Sequence, residues 1–462
     1  MQIRNKIYIN LDEERIDPKI LELLTYDNPD YHMKKNLGLP VFGIPKVICT
    51  YGITGRTMEI ARGEALRVKD FLSHCRYEFD HPDHPVTLRY LNSDFDLDEY
   101  QEGAIKAMKA TRQGIVHALT SAGKSLMIVK AIAELGQRAI IVVHRKVLMK
   151  QILEDIEKYI RDEKGNKIVV GIIGDGKNTV GDITVAIDKS LARNLAEHRE
   201  GFGVCILDEC HLAPAATIFD TLNEINAMRR YGFSGTLKRK DQKEFLIFST
   251  FGSVIYTIGK EELLEKKRIV PVALEILETE TRFDWDAVVE GLIDQGHKNP
   301  TVKARDLQNK TIALDSVRRM IAVDKAAELF RAGHKVIILS NYVEPCYGMR
   351  DMLKSVYGID AGVITGTDSK EADESYTAMK HGSEMKVVFA TVGCVSTGLS
   401  ISDLDDIILT SPILTNELLL HQIRGRLMRT FKGKTHGTLW MLWDQHIFED
   451  RKLRKFKNII AN

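Results

Sequence analysis

The sequence predicts an α/β protein: two parallel-sheet units in tandem, preceded by a small α+β region. Three observations lead there. Between about residues 91 and 265, short β-rich runs alternate with helical patterns, and the alternation returns after about residue 330. The runs are continuously apolar, as strands buried on both faces are, rather than alternating. The length of 462 residues accommodates two to four domains at roughly 100–200 residues each.

Residues 1–90 mix short apolar segments with Pro and Gly, then carry an amphipathic helical pattern, GEALRVKDFLSHC. The closely spaced prolines of His81-Pro82-Asp83-His84-Pro85 predict a linker. Residues 91–265 form the first α/β unit, with strands expected at GIVHAL, RAIIVVH, KIVVGII, DITVAI and GVCILDE. Residues 266–462 form the second. RIVPVALEIL is its entry strand, the stretch to Phe330 is mostly helical by pattern, and HKVIILS, AGVITG, KVVFAT, DDIILTS and HGTLWML follow.

Composition narrows the class. Sixty-five Lys+Arg against 64 Asp+Glu, a formal net charge of +1, exclude a basic protein that coats nucleic acid and an acidic disordered chain. A local basic groove stays open, because a sum says nothing about where charges sit. The six cysteines show no CxxC spacing and no Cys/His pairing of a zinc site, and suit a reducing cytoplasm. The charged start lacks the apolar stretch of a signal peptide, and apolar runs are strand-length, so a soluble protein with no membrane partner is expected.

The chemistry begins after GIVHAL. Thr120-Ser121-Ala122-Gly123-Lys124-Ser125 opens a helical pattern, the strand–loop–helix context of a phosphate-binding loop. Loop amides and the helix N-terminus would face phosphates, Lys124 would reach the β- and γ-phosphates, and the Ser125 hydroxyl would ligate Mg²⁺. The strict pattern is not met, since Ala118 stands where its first Gly belongs. Eighty-four residues after Lys124, a buried-strand pattern ends in Asp208-Glu209-Cys210-His211. A strand-end Asp208 can hold Mg²⁺, partly through water, and Glu209 can activate an attacking water. Together these residues indicate ATP and Mg²⁺ as the ligands and ATP hydrolysis as the reaction.

Asp-Glu-Cys-His resembles the DExH box of superfamily 2 helicases, and other motifs of that family stand in order. Tyr100-Gln101 resembles its adenine-reading glutamine. His144-Arg145-Lys146-Val147-Leu148 resembles motif Ia, and Ser234-Gly235-Thr236-Leu237, continued by Arg239 and Asp241, resembles motif III. Val336–Asn341 resembles motif IV, and Thr391-Val392-Gly393 through Gly398-Leu399-Ser400 resembles motif V, with Ser400 where many relatives carry Asp. Gln422-Ile423-Arg424-Gly425-Arg426-Leu427-Met428-Arg429 matches QxxGRxxR of motif VI. The resemblance covers about residues 95–445 and points to UvsW-like phage DNA helicases, in the wider group of XPB-type helicases and restriction-nuclease motors.

The resemblance implies two RecA-like motor domains with ATP clamped between them. It assigns Gln101, Thr120, Ser121, Ala122, Gly123, Lys124, Ser125 and Gly398 to ATP, with Lys124, Asp208, Glu209, Gln422, Arg426 and Arg429 in catalysis. Arg426 and Arg429, three apart, would share a helix face and act as arginine fingers. His211, Ser234, Gly235 and Thr236 would couple hydrolysis to movement. Backbone contacts to nucleic acid would come from His144, Arg145, Lys189, Ser190, Asn341, Thr365, Gly366 and Thr391. The implied activity is ATP-dependent remodelling of forked or branched DNA by a monomer in the cytoplasm, a host's if the source is viral. An RNA helicase, the motor part of a nuclease and a nucleotide-gated binding module stay as alternatives. Residues 1–90 would select DNA structure through Lys34, Lys35, Arg56, Arg62, Arg67 or Lys69, or else brace the motor. The basic stretch of Arg451, Lys452, Arg454, Lys455 and Lys457 is a solvated tail or a duplex contact.

Overall fold

The structure, a computed structural model, describes the chain except residues 82, 92–96, 120, 240, 367–369, 382–384, 397–400, 402, 411–416, 432, 448–449 and 462. Thr120 and Gly398, both expected at ATP, therefore lie outside the described residues, as do Leu399 and Ser400. Two compact units divide the chain, Met1–Lys260 and Glu261–Asn462. No helix among the described residues is long and apolar enough to cross a membrane.

The first unit is built on an eight-stranded sheet. Its order is Lys177–Asn178, Gly171–Gly174, Ile183–Ile187, Ala139–Val143, Val204–Asp208, Arg229–Ser234, Gln113–Ala118 and Val254–Ile258. Every pairing is parallel except that of the first two short strands. Ala139–Val143 is buried along its whole length, which is why its sequence is a continuous aliphatic run. Parallel pairing brings the carboxyl ends of the strands to one edge, where ligands of open α/β sheets bind.

The second unit has a six-stranded sheet with parallel pairing throughout: Val272–Thr279, Gly437–Asp444, Asp406–Leu409, Val336–Ser340, Val387–Thr391, Gly362–Ile364. The charged stretch between Val272–Thr279 and Val336–Ser340 folds into helices Trp285–Asp294, Pro300–Leu314 and Ser316–Arg331. Arg318 of the last helix is 1% exposed and forms an ion pair with the fully buried Asp444 at the end of Gly437–Asp444. It also donates to the carbonyls of Thr410 and Leu442, each at 2.7 Å, and Asp444 accepts from Thr281 N at 2.8 Å. Such a pair ties one helix to three strand ends. Losing one partner strands the other charge in the core, at a cost of about 3–5 kcal/mol.

Residues 1–80 carry their own five-stranded sheet: Tyr51–Thr54, Thr57–Ala61, Lys6–Asn10, Gln2–Ile3, Glu78–Phe79. The long amphipathic helix expected from GEALRVKDFLSHC is not formed. A 3-10 turn, Arg62–Glu64, leads into one short helical turn, Ala65–Val68, and the chain then turns again. The reason is packing of that turn on helix Phe245–Phe251 of the first unit. A Cβ on Gly63 would lie 2.2 Å from the Phe248 carbonyl, so the backbone there admits only glycine. Arg62 is 2% exposed and donates to Gln113 Oε1 (3.0 Å) and to the carbonyls of Ala227 (2.6 Å) and Met228. Gln113 returns a bond to the Arg62 carbonyl at 3.0 Å. Arg62 is therefore corrected from a candidate DNA contact to a buried tie between the N-terminal sheet and the strand that leads into the phosphate loop. Arg56 and Lys69 remain exposed. The expected linker is also held down: Pro85 bridges Gln137, and His81 Nδ1 meets Asn226 Oδ1 at 3.0 Å.

Candidate functional site

The loop after Gln113–Ala118 has two residues in the left-handed region, Ser121 (φ 78°) and Gly123 (φ 76°). This turn aims the start of helix Lys124–Leu135 along the carboxyl edge of the sheet. Gly123 has a second constraint. A Cβ there would sit 2.3 Å from Gln101 Nε2, because the Gln101 amide lies against the loop. Gln101 Nε2 donates to the Ala122 carbonyl at 3.0 Å, while its Oε1 accepts from Asp98 N at 3.0 Å. Gln101 therefore caps its own helix, Glu99–Ala110, and braces the loop.

Two strands from the loop strand, Val204–Asp208 ends in the carboxylate pair. Asp208 is buried and accepts from Glu209 N at 3.0 Å, with Glu209 itself at φ 57°. The Lys124 ammonium donates to Glu209 Oε1 at 3.0 Å, the lysine side chain being only 11% exposed. Burial and the neighbouring Glu209 charge push the Asp208 carboxyl up to about 6. Burial also opposes ionisation of Glu209, but Lys124 and His211 outweigh it and hold that carboxyl below its usual range. Desolvation works against the Lys124 ammonium too, and the two carboxylates more than offset it.

From Glu209 the contacts run onward. His211 Nδ1 is 3.2 Å from Glu209 Oε2 and 3.1 Å from Ser234 Oγ. Ser234 Oγ donates to the Thr236 carbonyl at 2.7 Å, and Gly235 O lies 3.3 Å from His117 Nε2. Arg239 donates to the His211 carbonyl and pairs with Asp241, its Nε 2.8 Å from Asp241 Oδ1. The structure thus brings together Lys124, Glu209, His211, Ser234, Gly235 and Thr236. It adds His117, whose only signal in the sequence is its place on the loop strand, two residues before Leu119.

A divalent cation fits the donor set. Ser125, on the first turn of the loop helix, and Asp208 supply the hard oxygens that Mg²⁺ takes. A dication would also relieve the repulsion between the adjacent carboxylates of the buried Asp208 and the partly buried Glu209.

The nucleic-acid candidates fall on strand ends. Val143 and Ile187 are register partners, so His144-Arg145 and Lys189-Ser190 follow neighbouring strands at one edge. Burial and Arg145 lower the His144 imidazole to about 4, and its Nδ1 has no hydrogen-bond partner among the described residues. At neutral pH His144 therefore offers a hydrogen bond rather than a charge. In the second unit, Ser340 pairs with Thr391 and Ile364 with Ala390, placing Asn341, Thr391, Thr365 and Gly366 along one edge. Cys394 holds part of this row: its Sγ accepts from Gly366 N at 2.8 Å and lies 3.1 Å from Thr391 Oγ1. No sequence signal singled it out.

Motif VI departs from expectation in one respect. Helix Glu417–Leu427 carries Gln422 and Arg426 but stops before Arg429, which forms an isolated bridge with Ile269. Arg426 and Arg429 are therefore corrected: they do not share a helix face. The helix ends because Lys434 caps the Leu427 carbonyl at 2.7 Å, while Val270 N takes the Met428 carbonyl at 2.8 Å. Arg424 is buried and donates to the Ile459 carbonyl at 2.8 Å, fastening the C-terminal helix Asp450–Ala461.

A phosphate-type loop, a buried lysine on a strand-end Asp-Glu pair and a second parallel sheet define a P-loop nucleotide hydrolase. Comparison with known proteins makes the class more specific. Residues 94–239 match the family described as type III restriction enzyme, res subunit, and residues 318–431 match the helicase conserved C-terminal domain. The ATP-dependent DNA helicase uvsW of Enterobacteria phage T4 is 23% identical over 353 residues, 75% of this chain and 68% of that protein. The DNA 3'-5' helicase XPB of Kineococcus radiotolerans is 24% identical over 316 residues, 66% of this chain and 52% of that protein. Among solved structures, a fragment of the HsdR-type subunit of a type I restriction enzyme from Vibrio vulnificus shares the fold. Its TM-score is 0.53 at 15% identity, over 74% of this chain and 63% of that one. The chain is a superfamily 2 helicase, an ATP-dependent enzyme similar to the UvsW-like phage helicases.

Proposed function

We propose that this helicase uses ATP to translocate on DNA and remodels forked or branched substrates. The observation that carries the reading is the unbroken run of contacts from Lys124 through Glu209 and His211 to Ser234 and Thr236. It joins the nucleotide loop to the strand end that motif III occupies. The DNA assignment is supported by the relatives, which are DNA helicases by name.

In this reading the Lys124 ammonium leaves Glu209 for the β- and γ-phosphates. Glu209 then loses its strongest cation, its carboxylate becomes more basic, and it orients and deprotonates the attacking water. Binding of ATP thus prepares its own base. Ser125 and Asp208 would hold Mg²⁺, which neutralises charge on the phosphates. Gln101 supports the loop and reads adenine, and Arg426 and Arg429 supply positive charge to the γ-phosphate. His211 passes the change at Glu209 to Ser234.

The DNA row works mainly on backbone phosphates, whose contacts position without reading sequence. Lys189→Ala is expected to lower the slope of log affinity against log salt by about 0.7–0.9, one phosphate contact. His144→Gln is expected to weaken binding with the slope unchanged, because the imidazole is neutral. Anisotropy titrations over a salt series measure both, and equal slope changes would remove the distinction. The function itself is tested by ATPase rates with single-stranded DNA, duplex DNA, four-way junctions and RNA. Junction or forked DNA is expected to stimulate most. Strongest stimulation by RNA would favour an RNA helicase, and none by any polymer a nucleotide-gated binder.

A further inference from the structure

Among the described residues, one cluster of side chains that could hold a metal ion lies outside the nucleotide site. Glu14, in the turn after strand Lys6–Asn10, meets His74 and Cys75, sixty residues later, at the end of the turns that follow Ala65–Val68. One donor atom from each residue lies within 4.8 Å of the other two. His74 Nε2 is 3.5 Å from Cys75 Sγ and 3.7 Å from Glu14 Oε2.

From this geometry we propose that Glu14, His74 and Cys75 bind one zinc ion. Metal bonds of 2.3 Å to sulfur and about 2.0–2.1 Å to nitrogen, at tetrahedral angles, put the two donors about 3.5 Å apart. That is the separation found. The same reasoning gives about 3.3–3.4 Å between nitrogen and oxygen, a few tenths less than observed, so closure on the ion needs only a small side-chain shift. A thiolate, a neutral imidazole and a carboxylate together carry two negative charges, which a dication neutralises. The thiolate and imidazole select zinc over Mg²⁺, which prefers oxygen alone. The half-exposed His74 leaves room for water as fourth ligand.

The position gives the ion a structural task. Cys75 belongs to the small core of the N-terminal sheet, with Ile7, Ile9, Met58, Ile60 and Leu72. A core this small gains from a staple, and the ion would join the loop after the second strand to the turn that closes the region.

The test uses the full chain, dialysed against a chelator and then titrated with zinc or cobalt(II) in excess Mg²⁺. One equivalent should bind, and cobalt should show a thiolate charge-transfer band. His74→Ala and Glu14→Gln, both at accessible side chains, should weaken binding by at least about 100-fold, beyond the 10–100-fold typical of supporting residues. Cys75→Ser should abolish the band, while Cys49→Ser, at an exposed cysteine, should leave it intact. Zinc should also slow proteolysis of residues 1–90 in the parent chain and not in the His74→Ala variant, with circular dichroism confirming that both are folded. Absence of the band, or affinity unchanged in His74→Ala, overturns the site.

Discussion

Glu209→Gln is expected to bind ATP and turn it over about 10²–10⁴-fold more slowly, the range that a positioned general base contributes. The substitution is nearly isosteric, and its amide can still meet Lys124 and His211, so the loop and motif III should keep their places. What disappears is the negative charge that Lys124 faces at 3.0 Å and the capacity to accept a proton from water. The parent and variant are compared by single-turnover hydrolysis and by equilibrium binding of ATP. Slow hydrolysis with retained affinity supports the base assignment. Loss of affinity with an unchanged chemical step would instead make Glu209 a structural partner of Lys124.

Arg429→Ala carries the larger expected effect, a fall in kcat of about 10³–10⁵-fold with KM for ATP little changed, as for other arginines that neutralise a γ-phosphate. Arg429 sits just past the helix end, in a segment fixed by the Ile269 bridge and the Met428 carbonyl bond. Its backbone position is therefore set by the second unit's own entry segment, and alanine should not unfold the helix. Burial lowers its guanidinium from the ordinary arginine value. Such a desolvated cation gains most from an anionic phosphate. Steady-state kinetics over an ATP series check the result, and an unaffected kcat would remove Arg429 from this role.

The parts of the molecule that were legible in sequence are those whose chemistry is local. Lys124 and Ser125 follow an apolar strand, and Asp208 and Glu209 end one, so position along the chain announced their edge of the sheet. All six strands of the second sheet and five of the first were readable for a similar reason, since burial on both faces leaves unbroken aliphatic runs such as Ala139–Val143. Arg229–Ser234 and Val254–Ile258 carry polar residues and gave no such run. What could not be read depends on partners distant in sequence. Nothing near Arg62 says that it will be enclosed by carbonyls more than 160 residues away. The three-residue spacing of Arg426 and Arg429 implied one helix face, but Lys434 and Val270 end the helix between them. Cys394 bridges two strand ends through a thiol, a contact that no spacing rule encodes. Glu14, His74 and Cys75 form no local spacing pattern, because the carboxylate stands sixty residues before His74 in the chain.

The central claim is that ATP hydrolysis at Lys124 and Glu209 drives work on DNA. It is tested most directly by following a labelled forked DNA with the parent chain and with Lys124→Ala, in the presence and absence of ATP and Mg²⁺. The parent is expected to convert the fork only with ATP, and Lys124→Ala to bind the same DNA without converting it or hydrolysing ATP. Conversion by Lys124→Ala at the parent's rate, or a parent that hydrolyses ATP equally with and without DNA and leaves the fork intact, would contradict the account.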